Sequence, residues 1–135
     1  MKNLPVSVVR SLSVTPVENV ARFGQCDSCV VIEMFGPAEE IDFIPGSATS
    51  TQDAEDGIIK KRIVFKISEI TPERSQQLGD LTRQRLIAFY TDEKGNRRVA
   101  GSPDHPLAFS HVQQGSAIEC TLAGEAQMIN LFLTV

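Results

Sequence analysis

The sequence predicts a mainly β fold, a β-barrel or β-sandwich of about 7–8 antiparallel strands with one short α-helix near 72–81. Three observations carry this expectation. Stretches that alternate apolar and polar residues with period two recur along the chain, the clearest setting Ile129, Leu131, Leu133 and Val135 on one face. Turn chemistry separates those stretches, as at Gly36-Pro37, Pro45-Gly46 and Glu93-Lys94-Gly95-Asn96. Only one place, Thr71-Pro72-Glu73, reads as a helix start.

Taken in order, Val6, Val8, Leu12 and Val14 fall on one face of a first strand, with Ser7, Ser11 and Ser13 opposite, Arg10 as an interruption and Pro16 as the end. Val30, Ile32 and Met34 are the inward set of a second strand, and Ile41, Phe43 and Ile44 suggest a short third. Residues 46–57, GSATSTQDAEDG, carry no periodic apolar residue and read as a long flexible polar loop. Ile59, Ile63, Phe65 and Ile67 then alternate with Arg62 and Lys66 along a β-branched strand. Lys60-Lys61-Arg62 within it is expected on a solvated outer face or guarding an edge.

Thr71 caps the helix, Pro72 occupies its first position, Glu73 suits the positive end of its dipole, and Leu78 and Leu81 are its apolar contacts. Residues 86–92, LIAFYTD, are apolar on both faces and predict a central strand, followed by a hairpin turn with Gly95 or Asn96 at positive φ and a return strand over 97–101. Pro103 and Pro106 stiffen the next loop, 107–109 form a short strand, and Ile118, Cys120 and Leu122 alternate before Gly124 turns the chain into its closing strand. That last strand carries Met128 and Phe132 on its second face, so it is expected to be central or covered.

The 135 residues make one domain, 1–135, long enough to bury a core without staples. A charged fraction of 22% against 41% apolar argues against disorder, and a net charge of −4 against general attraction to nucleic acid. There is no apolar run of about 18 residues to span a membrane, and the N-terminus lacks the continuous apolar stretch of a signal peptide. Three cysteines cannot all pair within the chain, which suits a reducing compartment, so the expected location is cytoplasmic or on a particle assembled there.

Catalytic and metal chemistry is sparse. Cys26 and Cys29 form a C-x-x-C pair that, with His105 and His111 or Cys120, would make the only zinc set the sequence offers; the expectation is unligated thiols. Asp104-His105 is the best acid–base candidate, but flanking prolines and the absence of a nucleophile context favour a structural turn, and no cofactor is expected. Asp53, Glu55 and Asp56 lack a calcium-loop pattern.

The segment from Ile70 to Phe109 holds a short helix, a strand ending in Thr91-Asp92 with Gly95 in its turn, a return strand ending in Gly101-Ser102, and then Pro106-Leu107. This order of features resembles small uncharacterised structural proteins of phage and prophage gene clusters, those of tail and neck. The C-x-x-C pair departs from that pattern. The resemblance implies a non-enzymatic virion or assembly protein whose partners are itself or other virion proteins. The expected mechanism is contact between subunits through edge strands or through the 46–57 loop, with Thr49, Asp53 and Asp56 as contact residues. The alternatives are a small-ligand or metal-binding β-barrel and a small enzyme using Asp104 and His105.

Overall fold

A computed structural model describes residues 7–25, 29–55, 58–68, 71–126 and 132–134. The fold is mainly β, with eleven strands and one α-helix among the described residues. Strand β1 (Ser7–Pro16) leads through a single 3-10 turn, Val17–Asn19, into the hairpin of β2 (Val20–Gln25) and β3 (Cys29–Met34). A two-residue β4 (Glu39–Glu40) returns to β1, and a second hairpin follows, of β5 (Thr49–Glu55) and β6 (Ile58–Ile67). Helix α1 (Pro72–Thr82) precedes two further hairpins, β7 (Leu86–Asp92) with β8 (Arg97–Ala100) and β9 (Ala108–Gln114) with β10 (Ala117–Ala126), before β11 (Phe132–Thr134).

The hydrogen-bonded path runs β2-β3-β11-β8-β7-β1-β5-β6-β10-β9, with β4 beside β1. The path is open, because its terminal strands β2 and β9 are not neighbours, so the sheet does not close into a barrel. Strand β1 is the corner: Ser7 and Val8 pair with β5, while Val9 to Pro16 pair with β7. The chain thereby folds over itself into two layers, sandwich-like, and encloses a core that takes Leu12 and Val14 from β1, Ile63 and Phe65 from β6, Leu86 and Ala88 from β7, Ile118 and Leu122 from β10, and Leu78 and Leu81 from α1. A second cluster of Val30, Ile87, Phe89 and Val99 lies on the other side of β7. This double burial explains why 86–92 lacks alternation: Leu86 and Ala88 serve one core, Ile87 and Phe89 the other.

Local chemistry sets the ends of these elements. The Thr71 hydroxyl accepts from the Arg74 backbone N–H at 3.0 Å, and Arg74 in turn donates through Nη1 to the Asp42 carbonyl, which ties α1 to the layer below. Between β7 and β8, Gly95 sits at φ 85°, where a side chain would strain the turn. The Asp92 carboxylate holds that turn by accepting from the backbone N–H groups of Lys94 and Asn96 at 3.0 and 2.9 Å.

Several expectations are corrected. The 46–57 segment is not a polar loop: Thr49–Glu55 is strand β5, paired residue for residue with β6. Its polarity misled because Ser50 and Gln52 are inward-facing polar residues, 2% and 8% exposed. Asp56 and Gly57 lie outside the described residues. In β1 a bulge at Arg10 switches faces, so Val9 is buried and Val8 is exposed, the reverse of the simple alternation. Gly124 does not turn the chain; it stays within β10, where an added Cβ would lie 2.8 Å from Leu107 Cδ2 and 2.9 Å from the Pro106 carbonyl. Strand β2 lies outside the expected set, and the expected third strand of Ile41, Phe43 and Ile44 is not a strand: the pairing with β1 falls just before it, at Glu39–Glu40 of β4, and Ile41 adds one backbone bond to the Leu12 carbonyl.

Candidate functional site

The sequence-predicted site residues do not converge. Cys26 lies outside the described residues, and Cys29 is a half-buried free thiol at the start of β3. Asp104 and His105 are exposed on a turn whose backbone closes on itself: Ser102 N–H donates to the His105 carbonyl, and His105 N–H to the Ser102 carbonyl, both at 3.1 Å. His111 is on β9, exposed, with its ring 5.9 Å from that of Phe109. Its neighbour across the ladder is Cys120, whose thiol is pushed up to about 12 by burial, with Glu119 adding to the rise and Arg74 opposing it. Such a thiol is protonated at neutral pH and is a poor metal ligand or nucleophile. Among the described residues no three His, Cys, Asp or Glu side chains gather as a metal site would need. Thr49 and Asp53 are on the paired strand β5, with Thr49 opposite Val64 and Asp53 opposite Lys60.

The densest polar chemistry is elsewhere, at one end of the interior between the layers. The Tyr90 hydroxyl oxygen accepts from Lys61 Nζ at 2.7 Å and from Ser50 Oγ at 3.2 Å. Burial pulls the Lys61 ammonium below the usual lysine value; the hydrogen bond to Tyr90 works the other way, and Arg98 adds to the lowering. Arg98 Nε lies 3.4 Å from the Asp92 carboxylate. Burial pushes the Asp92 carboxyl up, but hydrogen bonds from Asn96, Lys94 and Arg98 outweigh it and hold the group below its ordinary value. Serine, tyrosine and lysine in hydrogen-bonded series can relay a proton. Ser50 and Tyr90 are, however, only 2% and 4% exposed, enclosed within the fold.

The sequence did carry a signal for this cluster. Lys61 occupies the same phase of the alternation as Ile59, Ile63, Phe65 and Ile67, which makes it an inward lysine and not part of a solvated basic face. Lys60 and Arg62 are exposed as that outer-face expectation has it, and a groove of about 390 Å³ is lined by all three basic residues, Lys60, Lys61 and Arg62, with Asp53 and Glu125 beside them. The cross-strand register puts Lys60 between Asp53 and Glu125, so this groove is largely charge-compensated.

A further candidate is β9, on its side away from β10; helix α1 also packs against this strand. This strand, AFSHVQQ, ends the path, has no partner on that side among the described residues, and is exposed at every position but Phe109. It contains no Lys, Arg, Asp, Glu or Pro, and Val112 on it is 53% exposed. The other margins carry charge: Arg22 on β2 faces Glu33 of β3 at 3.8 Å, and β4 is Glu39-Glu40. Against known proteins, no family model, no curated protein and no solved structure matches this chain.

Proposed function

We propose that this chain is a non-enzymatic structural or assembly subunit that associates through the free edge of β9, a role of the kind implied by its resemblance to small phage and prophage tail or neck proteins. The observation that carries the reading is the unguarded edge. A seven-residue strand with open backbone donors and acceptors and no charge or proline is a template for another strand. The occupant is a second copy of the chain, since an uncharged strand meets its own copy without like-charge repulsion, whereas β2 and β4 present charges. A strand junction alone falls below about 1,200 Å² of buried surface, so association is weak and concentration-dependent.

The test is light scattering of the full chain over a concentration series, beside Val112→Lys. A lysine on the exposed face of an edge strand blocks pairing and leaves the core untouched. The wild type is expected to rise above 14.8 kDa with concentration while the variant stays monomeric. A wild type that remains at the monomer mass throughout refutes the reading.

A further inference from the structure

We propose that Lys61 is a carbamate site: its amine takes up carbon dioxide, and the carbamate so formed is held by Tyr90, Ser50 and Arg98. The site lies on β5, β6, β7 and β8 and does not depend on any pairing of β9. Its position follows from the alternation of β6. Lys61 shares the phase of Ile63, Phe65 and Ile67, so its side chain enters between the layers, with Gln52 of β5 and Gly124 of β10 as cross-strand neighbours. There the amine donates to the Tyr90 hydroxyl at 2.7 Å, with Nζ 5.1 Å from the ring centre, and Ser50 Oγ reaches the same hydroxyl at 3.2 Å. Arg98 opposes Tyr90 across the β7–β8 ladder, and its charge is felt at Lys61. Two cations thus gather at one hydroxyl cluster, a setting that favours turning one of them into an anion.

Carbon dioxide does this without a further reagent. The ammonium first gives up a proton to solvent water. The lone pair of the neutral amine then forms an N–C bond, one C–O π pair moves onto oxygen, and a second N–H proton passes to water, leaving a carbamate anion. Burial draws Lys61 below the usual lysine value and the Arg98 charge lowers it further, while Tyr90 opposes both, so the reactive neutral form is more available than on a surface lysine. The product reverses the local electrostatics. Arg98, which repels the ammonium, attracts the carbamate, and the hydroxyls of Tyr90 and Ser50 rotate to donate to its oxygens. Asp92 meets Arg98 through Nε at 3.4 Å and also accepts from the backbone N–H groups of Lys94 and Asn96, and a planar guanidinium has donors enough for two anions. Size selects the electrophile. Tyr90 and Ser50 are buried, which excludes a bulky acyl donor, whereas Lys61 is half-buried and lines the groove of about 390 Å³, so a small linear molecule reaches it from solvent.

The test traps the adduct on the full chain. Protein in neutral buffer containing isotopically labelled bicarbonate is treated with triethyloxonium, which converts a carbamate into a stable ethyl ester, and the modified lysines are located by peptide mass mapping. Lys60, Lys66 and Lys94, exposed on the same chain, are the internal references. A hydrogen bond to a charged group shifts an equilibrium about tenfold or more, so the expected labelling of Lys61 exceeds that of each reference by about tenfold. In urea the lysines should label alike. Arg98→Gln, which removes the cation that favours carbamate over ammonium, should lower the Lys61 level about tenfold. Equal labelling of Lys61 and the references in the folded protein, or none at Lys61, overturns the site, and this comparison needs no variant. Undiminished labelling in folded Arg98→Gln overturns the part given to Arg98.

Discussion

Removing one hydroxyl, by Tyr90→Phe, tests whether the enclosed polar cluster holds the two layers together. The ring stays and keeps its place in the core, so no cavity opens. Two hydrogen bonds are lost, one from the Lys61 ammonium at 2.7 Å and one from Ser50 at 3.2 Å. A charge-assisted bond contributes about 1.5–3 kcal/mol and a neutral one about 0.5–1.5, and the Ser50 hydroxyl is left buried with its described partner gone. The expected destabilisation is about 2–4 kcal/mol. For 135 residues the melting temperature moves by about 3.5 °C per kcal/mol, so a fall of about 7–14 °C is expected in a calorimetric scan at pH 7. The pH dependence has a definite sign. Lys61 titrates below 10.5 in the fold, so between its folded and unfolded values the unfolded chain binds more protons and stability rises with pH. The Tyr90 hydroxyl favours the charged amine, so its removal hurts most where Lys61 is charged, and the deficit narrows as pH rises through the lowered folded value of Lys61. Adding Ser50→Ala to Tyr90→Phe should cost less than Ser50→Ala in the wild type, because the orphaned hydroxyl is removed. A melting temperature within about 2 °C of wild type would refute the claim that these bonds join the layers.

Gly124→Ala drives a Cβ against the Pro106 carbonyl at 2.9 Å and is expected to cost about 1–3 kcal/mol in denaturant unfolding. Leu107→Ala in the same chain should not restore the loss, since the backbone contact remains. Asp92→Ala removes the acceptor for Lys94 and Asn96 and should cost about 2–3 kcal/mol at pH 7. Because the folded Asp92 carboxyl lies below its ordinary 3.8, its contribution is present above that value and lost as pH falls through the folded one, so wild type and variant should converge in acid unfolding curves below about pH 4.

The central strand, the helix and the β7–β8 turn were legible because each rests on local chemistry: a doubly apolar run, a Thr-Pro-Glu start and a glycine turn. The errors fall where inward positions are polar. Strand β5 puts Ser50 and Gln52 inside, and β6 puts Lys61 there, so apolar alternation fails just where the interior keeps hydrogen-bonding groups. The bulge at Arg10 is a further blind spot, since one extra residue reverses every later face. The edge position of β9 was also hidden, because strand order depends on pairings between β6, β10 and β9 that composition does not encode. The closing strand proved interior, between β3 and β8, as its two apolar faces suggested; the side chain of Phe132 lies outside the described residues.

The contrast between the edges also bears on the kind of assembly. If β9 of one copy added to β2 of the next, each copy would keep a free edge and the contact would propagate without closing. Strand β2 opposes this. Its Arg22 is exposed and already faces Glu33, so an incoming uncharged strand would crowd that pair and offer neither charge a partner. Pairing β9 with itself uses the unguarded edge of both copies at once and leaves only charged margins outside. The association is then finite, and two five-strand runs of β1-β5-β6-β10-β9 become one continuous sheet across the axis. A protein selected only to remain monomeric would be expected to place a lysine or proline on β9, as natural edge strands commonly do. The absence of both on that strand, beside charged residues at β2 and β4, is the observation on which the proposed closed pair of copies rests.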